Sequence, residues 1–494
     1  MDRVWDVVVV GAGAAGLACS VAAAEAGASV LLLERGRSLG GTTMYSVGSM
    51  TAAGTSLQRR AGIEDDTEQL IEDMWDYPDA GLSGDAPDLR RLYAEESGPT
   101  LEWLVRHGVQ FTLPNIEPPH RVARMHNVIP GSRSYITRLE EAARAAGVHV
   151  VLSTEVRELV LEDGEVRGAV VTGPAGTSTV LARRGVVLAT GDFSGNSGMR
   201  QQHLPEAAAA ALPINPEALG TGHQLAAQAG GELVAMDRLF GPQLRFGPPP
   251  RRGWLDRLPT WRWLCAIEGA VVRRVPASAL RPVVKSLLVT HMSPTDSLFR
   301  SGAVLVDRDG VRFGLEEDPA RELSARPGST GYIIMDESVA KAFDREPNFI
   351  STAPGIAFAY FTDYRRGRPD LVTTSDTVED LASRLGMGTD QLVSSVRSSG
   401  LRGPFVAMGP VHSMLTVTEG AVRVDQSLEV QRPDGQPVRG LFAIGAVGQG
   451  GMLLKGHGHH IGWAMTSGRV LGVRLAARPL DGRTTGSLSE EEAA

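Results

Sequence analysis

Three short apolar runs, each closing on a glycine, predict an α/β fold built on a parallel sheet. Residues 7–10 run into Gly11, residues 185–190 into Gly191, and residues 438–444 into Gly445. Short runs rich in valine, isoleucine and leucine suit strands covered on both faces. Their wide separation along 494 residues predicts one domain assembled from distant segments, with a second unit inserted between them.

The first run carries the most detail. Gly11, Gly13 and Gly16 form GxGxxG between a strand and an alanine-rich helix, and a second strand ends at Glu34, followed by Arg35. The first glycine permits a tight turn, the second lets a pyrophosphate approach the backbone, and the third lets the helix pack on the sheet. Ala14 and Ala15 open the helix, whose free N–H groups face the phosphates, while Glu34 is placed to accept from a ribose. The fold is thus Rossmann-like and dinucleotide-binding.

Composition narrows the function. A net charge of −8 argues against nucleic acid as a partner, because counterion replacement needs a basic surface. Two cysteines, Cys19 and Cys265, provide no disulfide framework and fit a cytoplasmic location. No basic n-region with a cleavage site and no run of 18 apolar residues is present, so neither export nor a membrane span is expected.

The trio of glycine-bounded strands, with Ala189-Thr190-Gly191-Asp192 in the second and Gly445-Ala446 in the third, resembles the discontinuous FAD-binding domain of the glutathione-reductase type. Further motifs follow in order: Gly40-Gly41-Thr42-Thr43, residues 220–237, "DGVRF" before Glu316, residues 375–387, and "IGWAMTSGR" from Ile461. Together they resemble the fumarate reductase/succinate dehydrogenase flavoprotein superfamily, and within it the 3-ketosteroid Δ1-dehydrogenases. The resemblance implies FAD contacts at Gly11, Gly13, Ala14, Ala15, Gly16, Glu34, Arg35, Gly40, Gly41, Thr42, Thr43, Val156, Ala189, Thr190, Gly191, Asp192, Gly445, Ala446 and Ile461, with an α+β substrate-capping domain as the insert. It implies FAD-binding segments at 1–230 and 405–480, a cap at 231–404 and a disordered tail at 481–494. Met44, Tyr45 and Ser46 stand where succinate dehydrogenases attach FAD through histidine, so non-covalent FAD is expected. Ala446 replaces a glutamate that fumarate reductases place near the ribityl chain.

The stretch "GQGGMLLKGHGHHIGWAMTSGR" holds His457, His459 and His460. A metal site is not expected, because adjacent histidines point apart and no carboxylate accompanies them in the sequence. In the Δ1-dehydrogenases a tyrosine and the backbone N–H of a loop glycine polarise the substrate carbonyl. Gly458 matches that glycine, and Leu454 stands at the tyrosine, leaving Lys455 or the histidines to supply a polar helper. His460 falls where fumarate reductases place a carboxylate-binding arginine, which weakens a dicarboxylate reading. Other candidates are Arg321, one residue beyond the spacing of the fumarate reductase proton donor, and Tyr135 or Tyr45 as a base if its phenol is acidified. Val417 stands at a family histidine, with His412 five residues upstream as a conditional substitute.

These observations lead to an FAD-dependent oxidoreductase acting on CH–CH groups. The reaction expected is α,β-dehydrogenation of an apolar cyclic ketone, with an external electron acceptor. Reduction of an activated C=C bond is the alternative, and a flavin fold that binds a lipophilic ligand without turnover is the third reading. Helices are expected at 66–76, 86–107, 133–146, 222–230, 376–400 and 458–477. Residues 251–285 hold eight basic residues against Asp256 and Glu268, with Trp254, Trp261 and Trp263. Such a segment fits either a cap helix with core tryptophans, or a membrane-interface helix or entry lip for an apolar substrate giving a peripheral membrane contact.

Overall fold

The computed structural model describes residues 3–77, 85–250, 259–274, 293–313, 318–353 and 357–479. Its first sheet has the spatial order Glu429–Gln431, Pro437–Ala443, Gly176–Leu188, Arg3–Val10, Val30–Leu33, His149–Val151. Strands 3–10, 30–33, 149–151, 176–188 and 437–443 are mutually parallel, and an antiparallel pair, Glu155–Glu162 with Glu165–Gly173, is attached through 176–188. Val7, Val8 and Val9 are fully buried, as a parallel strand covered on both faces requires.

Helix Ala14–Glu25 packs along helix His459–Ala477, which joins the two ends of the chain. Small residues let them approach: a Cβ on Gly468 would lie 2.3 Å from the Ala15 carbonyl oxygen, and one on Gly472 would lie 2.4 Å from that of Cys19. The glycine pattern of the last helix is therefore a packing surface for the first.

A second sheet centres on Phe405–Leu415, which pairs with Thr330–Asp336, Gln243–Phe246, Val372–Ser375 and Leu212–Pro213. The expected domain limit at 405 is therefore corrected. Residues 405–415 alternate into the core of the cap, and the chain returns toward the first sheet only beyond Leu415. The helix expected at 376–400 is also corrected to two, Val378–Leu385 and Thr389–Ser399. Gly386 caps the first in the left-handed conformation, with φ +69°. The tail at 481–494, Trp254 and Glu316 lie outside the described residues.

The crossing between the two sheets positions the site. Val417–Thr418 pairs with Leu239–Phe240, and Ala421–Val422 pairs with Leu233–Val234. Glu419 is held between these two short ladders. Among the described residues, no helix is long and apolar enough to cross a membrane.

Candidate functional site

The dinucleotide cradle is built from backbone. A Cβ on Gly16 would fall 1.9 Å from the Gly11 carbonyl oxygen, and one on Gly11 would fall 2.5 Å from that of Ala189. A Cβ on Gly13 would meet only the Gly40 oxygen at 3.9 Å, so the face toward the pyrophosphate is open. Gly13 caps helix Ala14–Glu25 without a side-chain hydrogen bond, and the first intrahelical bond runs from the Leu17 N–H to the Gly13 carbonyl. The N–H groups of Ala14, Ala15 and Gly16 are thus left for an anion. Glu34 accepts from the Ala12 N–H at 2.8 Å and the Gly36 N–H at 2.7 Å, which aims its carboxylate at the turn.

The other cofactor candidates are arranged around this cradle. The Gly40 N–H donates to the Ala12 carbonyl at 2.9 Å, bringing Gly40-Gly41-Thr42-Thr43 alongside the turn, and Asn215 Nδ2 donates to Thr42 Oγ1 at 2.8 Å. Arg35 reaches outward to Glu217 at 3.0 Å, and Val156 is buried in its strand. At Gly191 a Cβ would meet open space. Gly445 abuts Ala15, its N–H donating to Ser467 Oγ at 3.0 Å, while Ala446 and Ile461 are half-buried. Asp192 departs from its expected part: its carboxylate accepts from the Thr418 N–H at 2.8 Å, holding the strand next to Glu419. The open N–H cradle and the glycines that no Cβ could replace fit the ADP half of FAD.

The three histidines each take a different partner. His460 Nε2 lies 2.9 Å from Glu419 Oε1 and borders Phe240 of the cap. Glu419 is 1% exposed and also accepts from Gln449 Nε2. Burial pushes its carboxyl up, but the pairing with His460 and the bond from Gln449 outweigh this and hold it below the usual range. An ionised, buried carboxylate therefore orients His460.

His457 bonds Glu117 through Nδ1, and its backbone N–H donates to both Glu117 oxygens at 3.1 and 3.0 Å. Thr51 locks the same loop, its Oγ1 donating to the His457 carbonyl at 2.8 Å and its N–H to the Gly458 carbonyl at 3.1 Å. The carboxylates absent from the sequence neighbourhood of the histidines are thus supplied by the fold. Among the described residues, no group of three or more His, Cys, Asp or Glu is arranged to hold a metal ion.

His459 is corrected as a substrate contact. It is fully buried beside Tyr77, Tyr93 and His120, with its Nε2 at 2.8 Å from His120 Nε2. Arg124 Nη1, which can only donate, sits 3.0 Å from His120 Nδ1. His120 must therefore carry its proton on Nε2 and give it to His459 Nε2, placing the His459 proton on Nδ1. Burial pushes the pKa of both imidazoles down, so the pair is neutral.

Tyr135 is corrected as a base. Its buried hydroxyl donates to the Gly48 carbonyl at 3.0 Å, and burial pushes the phenol pKa well up, opposite to the acidification a base needs. Tyr45 is exposed. Arg321 is exposed on helix Pro319–Ser324. His412 pairs with Thr330 Oγ1 at 2.9 Å in the cap sheet. An arginine whose charge reaches His457 is instead Arg245 of strand Gln243–Phe246, half-buried and opposing protonation of that imidazole. Sequence reasoning missed Arg245, Glu117, His120 and Glu419. The acid in "TEGA" was the one local signal among them.

One pH prediction arises here. The hydrogen bond from Glu117, and then its charge, raise the His457 pKa above its ordinary 6.5. A raised folded-state pKa gives a contribution fully present below the ordinary histidine value and lost as pH rises through the folded value. Glu117→Gln should therefore lower the thermal midpoint most on the acid side of 6.5, the gap to wild type narrowing toward alkaline pH. Thermal melts across pH check this, and a gap that widens with pH would refute it.

A family model described as FAD binding domain matches residues 6–253 and 280–454. The chain is 26% identical to an NADH:fumarate oxidoreductase of Klebsiella pneumoniae (strain 342), over 90% of this chain and 44% of that protein. It is 28% identical to a probable fumarate reductase of Shewanella frigidimarina (strain NCIMB 400), over 96% and 75%. It is 24% identical to a 4-oxocyclohex-2-ene-1-carboxylate 5-dehydrogenase of Sinomonas cyclohexanicum, over 99% and 98%. The chain thus spans less than half of the first relative and nearly all of the last. Among solved structures, the open conformation of a flavocytochrome c3 fumarate reductase superimposes with a TM-score of 0.72 at 25% identity, covering 96% of this chain and 78% of that one. The cradle and these likenesses agree, and the chain belongs to the FAD binding domain family of flavoproteins.

Proposed function

We propose that this protein dehydrogenates a neutral, apolar cyclic ketone at the bond beside its carbonyl, passing the electrons to an external acceptor. The observation that carries the reading is the buried Glu419 carboxylate 2.9 Å from His460 Nε2. A dicarboxylate would meet that negative charge where bidentate arginine recognition is needed. A neutral ketone meets no such penalty.

Bound FAD supplies the two-electron acceptor for hydride. The chain supplies the proton chemistry. His460, oriented through Nε2 by Glu419, offers Nδ1 as the base that removes the proton next to the carbonyl. The Gly458 N–H, on a loop locked by Thr51 and Glu117, donates to the carbonyl oxygen as negative charge develops there. Phe240 of the cap adds an apolar wall beside His460. Non-covalent attachment rests on Met44, Tyr45 and Ser46 after the Gly40-Gly41 turn. Acid precipitation should therefore leave all the yellow colour in the supernatant, and flavin remaining in the pellet would refute it.

The reverse direction, reduction of an activated C=C bond, draws on the names of the fumarate-reducing relatives. An anaerobic visible titration separates the two. Bleaching of the flavin band by a cyclic ketone supports dehydrogenation. A flavin that every ketone leaves oxidised, but whose reduced form an enone or fumarate re-oxidises, overturns it in favour of reduction.

A further inference from the structure

Helix Arg262–Arg274 turns an apolar face to solvent. Trp263, Ile267 and Val271, four residues apart, are 59%, 54% and 48% exposed, and Trp261 just before them is 57% exposed. The opposite face carries the buried Cys265, whose Sγ lies 4.0 Å from Ser134 Oγ. A surface helix normally buries its apolar stripe, and this one buries the other side. The Trp261 and Trp263 rings stack with centroids 5.6 Å apart, and exposed Arg262 and Arg274 stand at the two ends of the helix.

Beside the tryptophans lies a cleft of about 360 Å³ lined by Arg138, Glu141, Trp261, Arg262 and Trp263. Arg138 is 2% exposed. Its Nη2 donates to the Thr260 carbonyl at 2.5 Å and to Glu141 Oε1 at 2.9 Å, but its Nε and Nη1 have no hydrogen-bond partner among the described residues. Buried guanidinium N–H groups left unpaired call for an acceptor. The charge they carry favours an anion in the cleft beside them.

We propose that this face docks on an anionic phospholipid surface, with Trp261, Trp263, Ile267 and Val271 entering the interface and a lipid phosphate seated against Arg262, the charge of Arg138 lying behind it. Indole rings favour the headgroup level, and basic side chains beside an apolar face add electrostatic attraction to anionic lipid. A second copy of the chain is the poorer occupant. A two-fold contact would bring the basic residues Arg262 and Arg274 of one copy against those of the other. The inference goes beyond the proposed reaction and does not depend on it.

The test is co-sedimentation of the FAD-loaded protein with vesicles of phosphatidylcholine alone, and of phosphatidylcholine and phosphatidylglycerol in equal parts. Binding to the anionic vesicles only, weakened by salt, is expected. Trp263→Ala with Ile267→Ala should abolish it, and Arg262→Ala should weaken it about fivefold. Both variants should keep full flavin content and turnover in detergent-free buffer. Failure to bind anionic vesicles, or equal binding to both kinds, would overturn the proposal. A concentration-dependent dimer in sedimentation that the Trp263→Ala, Ile267→Ala variant dissolves would also overturn it, assigning the face to a second copy.

Discussion

Replacing Glu419 with glutamine is expected to lower turnover by about 10²–10⁴-fold, the usual contribution of a positioned acid–base group, with the flavin still bound. Glu419 is a positioning residue acting through His460, so the loss arises from the imidazole. The carboxylate accepts from His460 Nε2 at 2.9 Å and from Gln449 Nε2, and the Leu454 N–H faces it at 3.5 Å. An amide keeps one acceptor but turns an NH₂ group toward one of these donors, and it removes the negative charge that faces the imidazole as it takes up the substrate proton. The pH profile distinguishes this from simple disruption. Glu419 is held below its ordinary 4.5 in the folded protein, so its contribution to stability is present above that value and is lost only as pH falls through the lower folded value. At neutral pH, Glu419→Gln should therefore lose stability as well as turnover, the stability gap closing on acidification, and Glu419→Asp should restore part of the rate by restoring the charge. Wild-type turnover in Glu419→Gln across the pH range would remove His460 from the mechanism. Loss of flavin together with activity would reduce Glu419 to structural support.

The cradle was legible in the sequence because its requirements are local. A strand, a turn without side chains and a helix must follow one another, and Gly11, Gly13, Gly16 and Glu34 lie within one βαβ unit. The family motifs carried that reading to Gly40-Gly41 and Gly445. What stayed hidden is the pairing of polar groups. His460 meets Glu419 across 41 residues, His457 meets Glu117 across 340, and His459 meets His120 across 339. No periodicity reports such contacts, since each depends on how the 114–124 segment and the crossing between the sheets are laid over the last helix. For the same reason three neighbouring histidines read as equivalent, although one faces the cap, one is half-exposed on the loop and one is sealed in a neutral pair. Tyr135 failed on depth. A phenol early in an amphipathic helix can face a site or the core, and only the Gly48 carbonyl beneath it decides between them. The strand at 405–415 was assigned to the wrong sheet because a buried β-run looks the same in either.

Removing the Arg124 side chain, as Arg124→Met, is expected to cost about 3–5 kcal/mol of stability, the range for breaking a buried ion pair from one side. Arg124 is fully buried and is held by two carboxylates. Its Nε and Nη2 reach Asp65 at 2.6–3.0 Å, and its Nη1 bonds Asp73 and lies 3.0 Å from His120 Nδ1. Methionine fills much of the volume but leaves both acids in place. Asp65 would retain Gln58 Nε2 at 2.6 Å, and Asp73 would retain Arg121. Burial pushes the Asp73 carboxyl up, and at present the bonds from Arg121 and Arg124 outweigh it, holding the group below its ordinary 3.8. Without Arg124 that balance moves upward, so the variant should lose less on acidification than wild type does. Denaturant midpoints at several pH values measure both effects. The variant carrying Asp65→Asn and Asp73→Asn together with Arg124→Met separates charge from packing. If uncompensated carboxylates cause the loss, it should recover much of the stability that the single substitution removes. A single substitution costing under about 1 kcal/mol, near the worth of an exposed pair, would show that water reaches the cluster. In either case His120 loses the donor that fixes its tautomer. If the His120–His459 pair helps hold the Gly458 loop, KM for the carbonyl substrate should rise in the stabilised triple variant as well, because its charge balance is restored and its tautomer is not.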